Sequence, residues 1–374
     1  MIDRLLEKSI SENLYKGKAI IIIGPRQVGK TTLVNQIKEK LNKKTIFFNC
    51  DEFETKSLLT EPSLNQLRDL ISDHEIVIID EAQRIRNIGL TLKLIIDNIK
   101  EIQIIVTGSS ALELSNSINE PLTGRKFEYH LYPLSINELK GTFGMFEESK
   151  VLYKRLVYGM YPDVINFPGQ EREILNNLAA SYLYKDVFAY QEIRRPELLD
   201  HLLKALALQI SGEVSYYEIA QLLGSDPNTI KRYLELLEKA YVIFKLSSYN
   251  RNIRTELKKS QKIYFYDNGI RNAILGNFNG IDSREDLGQL WENYMVSERV
   301  KHLHYTKTYA HQYFWRTQQQ QEIDYLEEYD GKLYAFEFKW NPRMKVNFSK
   351  TFLKNYKVES TKIINNENYW EFFK

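Results

Sequence analysis

At 374 residues the chain is long enough for about two to four domains with cores of normal size. Lys and Arg number 51 against 49 Asp and Glu, a net charge of +2, which excludes a charged tail and does not advertise nucleic-acid binding, local patches apart. The single cysteine, Cys50, excludes an internal disulfide framework and fits a reducing cytosol, and no apolar run reaches the ~20 residues of a membrane span. With no signal-peptide cleavage pattern after Met1-Ile2-Asp3-Arg4-Leu5-Leu6, the expected location is cytoplasmic, with no membrane partner.

Residues 1–17 read as an amphipathic helix leading into Ala19-Ile20-Ile21-Ile22-Ile23, a run suited to a buried parallel strand. Gly24-Pro25-Arg26-Gln27-Val28-Gly29-Lys30-Thr31-Thr32 follows with the G-x-x-x-x-G-K-T spacing of a phosphate loop, and Leu33, Ile37 and Leu41 mark the next helix. Gly24 and Gly29 are expected at positive φ, curling backbone N–H groups around a phosphate. Lys30 is placed to reach the β- and γ-phosphates and Thr31 to ligate Mg²⁺, with the positive end of the helix aimed at the anion.

Thr45-Ile46-Phe47-Phe48-Asn49-Cys50 reads as a second strand. Glu75-Ile76-Val77-Ile78-Ile79-Asp80-Glu81 reads as a third, ending in two carboxylates. In this Walker B arrangement Asp80 holds Mg²⁺, directly or through water, and Glu81 polarises the attacking water; the plainer reading is a helix cap. Ile102 to Thr107 is the fourth strand, followed by Gly108-Ser109-Ser110. Strands alternating with helices imply a parallel sheet with ligands at its carboxyl ends, where Thr107, Ser109 and Ser110 lie. Each hydroxyl there is either a γ-phosphate or water contact, or an ordinary turn residue. Arg125, in Leu122-Thr123-Gly124-Arg125, is either a finger acting in cis or in trans, or a surface arginine.

Together with Ile79-Asp80-Glu81-Ala82-Gln83-Arg84, Thr107-Gly108-Ser109-Ser110 and Tyr132-Pro133-Leu134-Ser135, these motifs resemble a prokaryotic AAA+-type ATPase family over essentially the whole chain. The resemblance implies ATP as the nucleotide, with Lys30 and Thr31 as phosphate and metal contacts and Asp80 and Glu81 as Walker B. It also implies a polar sensor at Ser109 or Ser110, and Arg125 as the recurrent arginine of a homo-oligomer. In that family a helical region, a winged helix and a restriction-endonuclease-like domain follow the ATPase.

Beyond residue 140 the pattern is helical, with a glycine–proline break at Val157-Tyr158-Gly159-Met160-Tyr161-Pro162-Asp163. Ala179 to Tyr190 and Pro196 to Ile210 have helical period, and Arg194-Arg195-Pro196 marks a boundary. Ser215 and Pro227 open two short helices before Tyr241-Val242-Ile243-Phe244-Lys245-Leu246, the order of a winged helix-turn-helix. Asn228, Thr229, Lys231 and Arg232 would start its recognition helix, and Arg251, Arg254, Lys258, Lys259 and Lys262 form a basic run suited to a phosphate backbone. The rival reading is a packing module.

In the last part, Asp330-Gly331 is a two-residue hairpin turn that pairs Asp324 with Glu337 and Glu322 with Lys339. Opposed carboxylates make sense with a cation between them, either a divalent metal or a lysine. Asp324 with Glu337-x-Lys339 resembles the PD-(D/E)xK nuclease superfamily. That resemblance implies Asp324 and Glu337 as ligands of a second metal, Lys339 as phosphate and water positioner, and Glu292 or Glu298 as an extra carboxylate. The alternative is a retained scaffold in which Lys339 neutralises the acids.

The expected class is α/β: a P-loop NTPase core at 1–140, a helical lid at 141–208, a winged helix-turn-helix at 209–256 and a small nuclease-like domain at 257–374. Two functions are carried forward. One is an ATP-driven, DNA-associated enzyme; the other is a nucleotide-dependent switch or scaffold whose C-terminal domains bind a protein partner.

Overall fold

The computed structural model describes residues 2–109, 118, 121–182, 195–249, 261–344 and 346–374. Ser110, Arg194, Arg251, Arg254, Lys258 and Lys259, and the second half of the helix expected over 179–190, lie outside the described residues. The chain divides into two compact units, Met1–Leu134 with Lys239–Tyr241, and Ser135–Glu238 with Val242–Lys374.

The first unit is built on five strands: β1 (Ala19–Ile23), β2 (Thr45–Asn49), β3 (Ile76–Asp80), β4 (Gln103–Gly108) and β5 (Lys126–His130). They pair in the order β2-β3-β4-β1-β5, every pair parallel. β1, β3 and β4 are buried at every position, which is why Ile20–Ile23, Ile76–Ile79 and Ile104–Thr107 are β-branched runs. The N-terminal helix covers only Leu6–Ser11, shorter than the 1–17 expected, because Tyr15 and Gly17 take positive φ and turn the chain into β1. The phosphate-loop helix runs Lys30–Leu41, with Leu33 and Ile37 in the core.

The second unit opens on Ile136–Phe143, capped reciprocally by Ser135 and Glu138. Gly159, at φ 70°, ends Leu152–Tyr158, and Pro162 starts the helix Pro162–Asn166. A Cβ on Gly159 would lie 2.1 Å from Asp267 Oδ1, which explains the glycine better than the turn alone. The helix Pro196–Leu208 is followed by β6 (Glu213–Val214), the helices Tyr216–Leu222 and Pro227–Lys239, and the antiparallel hairpin of β7 (Ile243–Ser248) and β8 (Gln261–Phe265).

Four further strands, β9 (His311–Arg316), β10 (Glu322–Tyr329), β11 (Lys332–Phe338) and β12 (Ser360–Ile364), join the same sheet, ordered β12-β11-β10-β9-β7-β8-β6. β7, before the boundary expected at 256–257, pairs with both β8 and β9 after it, so the strands on either side belong to one sheet. The helix Leu287–Tyr305 has buried residues on several faces and packs against β8 and β11.

Candidate functional site

In the first unit the chemistry gathers where β1, β3 and β4 end, at the carboxyl edge of the parallel sheet. Gly29 takes φ 90° and starts the helix, as its place in the loop requires. Gly24 does not: its φ is ordinary, and it is glycine because a Cβ would meet Leu131 O at 2.0 Å. The second left-handed residue is Gln27 instead, at φ 57°. Pro25 and Val28 are buried, Arg26 is half-buried, and Gln27 and Thr32 are exposed on the loop's outer side.

Lys30 is 5% exposed, and its ammonium donates to Gly24 O at 3.0 Å and Pro25 O at 2.9 Å, so the loop's own carbonyls cradle it. Thr31 Oγ1 donates to Asp80 Oδ2 at 2.9 Å. Thr107 donates to Asp80 Oδ1 and accepts the Glu81 backbone N–H at 3.1 Å. Glu81 stands at φ 55° between β3 and a single 3-10 turn, and its carboxylate caps nothing, so the helix-cap reading fails. The carboxylate accepts instead from Gln83 Nε2, which also donates to Ser109 Oγ at 2.7 Å. Gln83 is missing from the residues expected at the site. Arg4 is missing too: its guanidinium donates to Val28 O and, at 2.7 Å, to Tyr132 O, fixing the loop from the N-terminal segment. Cys50, whose backbone N–H donates to Asp80 O at 3.0 Å, is buried, and burial pushes its thiol up to about 12.

Arg125 lies elsewhere. Its carbonyl accepts from Ala19 N, at the amino end of β1, and its guanidinium holds Asp97 at 2.7 and 3.3 Å. β1 spans about 13 Å at ~3.3 Å per residue, and the phosphate loop begins at its far end. Arg125 is therefore not brought to the loop of its own chain.

In the second unit the hairpin forms in the expected register, with Tyr325 opposite Phe336 and Tyr329 opposite Lys332. Asp330 and Gly331, at φ 51° and 71°, form the turn with both central residues left-handed. Lys339 Nζ donates to Asp324 Oδ2 and to Glu337 Oε2, both at 2.9 Å. A second lysine does the same. Lys262, expected in an exposed basic run, is 2% exposed, and its ammonium bridges Glu292, at 2.9 Å, and Glu322. It is buried because β8 is an interior strand of the sheet. All six side chains line one cavity of about 560 Å³ with Ser211 and Arg316.

Glu298 does not join them. It is buried against the Ile136 N–H, at 2.7 Å, and Lys301. Among the described residues no group of three or more His, Cys, Asp or Glu could hold a metal ion. Lys339 bridges Asp324 and Glu337, the two carboxylates expected to hold a second metal, so a metal there would have to displace its ammonium.

Burial pushes the Glu292 carboxyl from its ordinary 4.5 up to about 7, against the pull of Lys262. Burial and Asp324 push Glu337 the same way. Where the folded chain keeps the Glu292 proton and the unfolded chain has lost it, stability is full below pH 4.5 and falls as pH rises to about 7. Urea unfolding at pH 4.5 and 7.5 should show Glu292→Gln losing less stability over that range than the wild type, by about 3 kcal/mol. Identical losses would remove this assignment.

Comparison with known proteins fits the first unit. Residues 16–140 match the family model of an AAA domain, while residues 149–280 and 287–369 match two domains of unknown function, DUF8612 and DUF4143. Uncharacterised proteins of Mycobacterium bovis and Mycobacterium tuberculosis are 26% identical over 334 residues, covering 87% of this chain and 71% of theirs. One from Haemophilus influenzae is 26% identical over 279 residues, 68% of this chain and 69% of its own. The Walker-type ATPase PABY2304 of Pyrococcus abyssi shares the fold, with a TM-score of 0.51 and 17% identity over 74% of this chain and 96% of that one. The chain therefore carries an AAA-type P-loop domain on an α/β sheet, with helices and a further sheet beyond it. Among the described residues no helix is long and apolar enough to cross a membrane.

Proposed function

We propose that this chain is a Mg²⁺-dependent ATPase that works as a homo-oligomer, each nucleotide completed by Arg125 of a neighbouring copy. The observation that carries this reading is the convergence of Lys30, Thr31, Asp80, Thr107 and Glu81 at the carboxyl edge of one parallel sheet. Residues 24–32 wrap the phosphates with backbone N–H groups, and Lys30 leaves its carbonyl cradle for the β- and γ-phosphate oxygens. Thr31 and Asp80 offer two hard oxygen donors 2.9 Å apart, the partial shell Mg²⁺ accepts when phosphates and water complete it. Held by Thr31 and Asp80, Mg²⁺ would supply positive charge against the phosphate oxygens. Glu81 orients and polarises the attacking water, and Ser109 senses the γ-phosphate.

Arg125 is assigned to a neighbour because its own loop lies at the other end of β1. Release from Asp97 would free the guanidinium for a phosphate. Mixing Lys30→Ala with Arg125→Ala subunits, each expected to be inactive alone, should recover part of the turnover, measured as phosphate release. Arg125→Ala subunits that turn over normally by themselves would end the trans assignment.

For the second unit the same observation favours one of the two functions. With each lysine seated between two carboxylates, the nuclease-like hairpin reads as a self-neutralised scaffold, and the chain as a nucleotide-dependent switch that binds its partner without cutting nucleic acid. The helices Tyr216–Leu222 and Pro227–Lys239 with the β7–β8 hairpin have the order of a winged helix. Of the cations expected to meet a phosphate backbone, Lys231 stands 3.9 Å from Glu235 and Lys262 is buried in the cluster.

A further inference from the structure

One contact in the first unit has no part in holding nucleotide or metal. Gln83 stands two residues beyond Glu81, and the left-handed backbone of Glu81 folds the 3-10 turn Ala82–Arg84 back over the end of β3. The Gln83 amide then uses both its ends. Nε2 donates to the Glu81 carboxylate and to Ser109 Oγ, at 2.7 Å for the latter, and Oε1 accepts the Ser109 backbone N–H at 3.3 Å. Ser109 is itself 2% exposed and follows directly on β4, next to the strand that carries the phosphate loop. Base and sensor are thus joined by one amide.

A planar amide with three bonds to two residues cannot turn for one without turning for the other. If Ser109 Oγ rotates toward a γ-phosphate, Gln83 Nε2 loses an acceptor, and the amide is then held by the Glu81 carboxylate and by the Ser109 backbone N–H on Oε1. If Ser109 stays, the Glu81 carboxylate is held toward β4.

We infer that Gln83 is a positioning residue that couples Ser109 to Glu81, so that the water-polarising carboxylate takes its working orientation only when the sensor has met the terminal phosphate. The inference rests on the ATPase reading above and adds a residue that reading leaves out. Gln83 touches no reacting atom; it acts through Glu81.

The test is a double-variant cycle on ATP turnover with nucleotide affinity measured alongside. Gln83→Met keeps the side-chain volume and removes the amide; Ser109→Ala removes the hydroxyl. Each should lower kcat by about 10- to 100-fold, the loss expected from misplacing a reacting group by about an ångström, with the unfolding midpoint unchanged in both and ATP affinity unchanged in Gln83→Met. Because both act through one chain of bonds, the double variant should be no slower than the slower single variant. Additive losses, a Gln83→Met enzyme with wild-type kcat, or a loss confined to affinity or stability would each overturn the coupling. Lys30→Ala separates the two levels. If it abolishes turnover while Gln83→Met is silent, the ATPase stands and only the coupling falls; if Lys30→Ala turns over normally, the underlying reading falls first.

Discussion

Glu81→Gln should stop ATP turnover while leaving ATP bound. The substitution keeps the shape and the bond from Gln83, whose Nε2 can still donate to the remaining carbonyl oxygen. It removes the negative charge that draws a proton from the attacking water, a loss of about 10²- to 10⁴-fold for a general base. Lys30, Thr31 and Asp80 are untouched, so nucleotide affinity should stay within a few fold of wild type. Lys30→Ala should differ in kind: its ammonium is the cation of the loop, and turnover and binding should fall together. Measured phosphate release with parallel equilibrium binding distinguishes the two patterns. Unchanged turnover in Glu81→Gln would remove this carboxylate from the chemistry.

A second large effect is expected far from the nucleotide. Lys262→Met should destabilise the second unit by about 3–5 kcal/mol, because it strips the shared cation from two carboxylates in a site 3% exposed at the lysine. At pH above about 7, where the Glu292 carboxyl is ionised, adding Glu292→Gln should return part of that loss, since one of the stranded charges goes with it. Urea unfolding of the three proteins reads both steps. The same geometry sets an expectation for metals: Mn²⁺ without nucleotide should not raise the unfolding midpoint of the wild type relative to Glu337→Ala. A Mn²⁺-dependent rise that Glu337→Ala abolishes would reinstate a metal at the hairpin.

The parts of this protein that could be read from its residues are those in which local order and chemistry coincide. Ala19 to Thr32 is strand, loop and helix in one uninterrupted stretch, so its geometry follows from spacing, and the Asp330-Gly331 turn dictates the pairing of β10 with β11 through its own backbone preference. β5 was less visible: Lys126, Glu128 and His130 alternate with Phe127 and Tyr129 on an edge strand, so it lacks the apolar run that marks its neighbours. Lys262 looked like one more cation in a basic run, because the carboxylates that bury it come from the Leu287–Tyr305 helix and from β10.

Between Glu292 and Glu298, helical geometry alone was informative. Six residues turn an α-helix by about 600°, which puts the two carboxylates on different faces, and only Glu292 reaches the cavity. Gln83 stands inside the Ile79–Arg84 motif but carries no role there, since a polar residue in a turn after a strand is ordinary until its three bonds are seen.

The β7–β9 seam has a bearing on inheritance. Two segments that match separate families of unknown function share a single hydrogen-bonded sheet through Ser247 opposite Tyr313 and Ser248 opposite Phe314. Cutting the chain between the two matched segments would leave β7 and β9 each with an unpaired edge, so the two are expected to fold as a unit and should be expressed and assayed together.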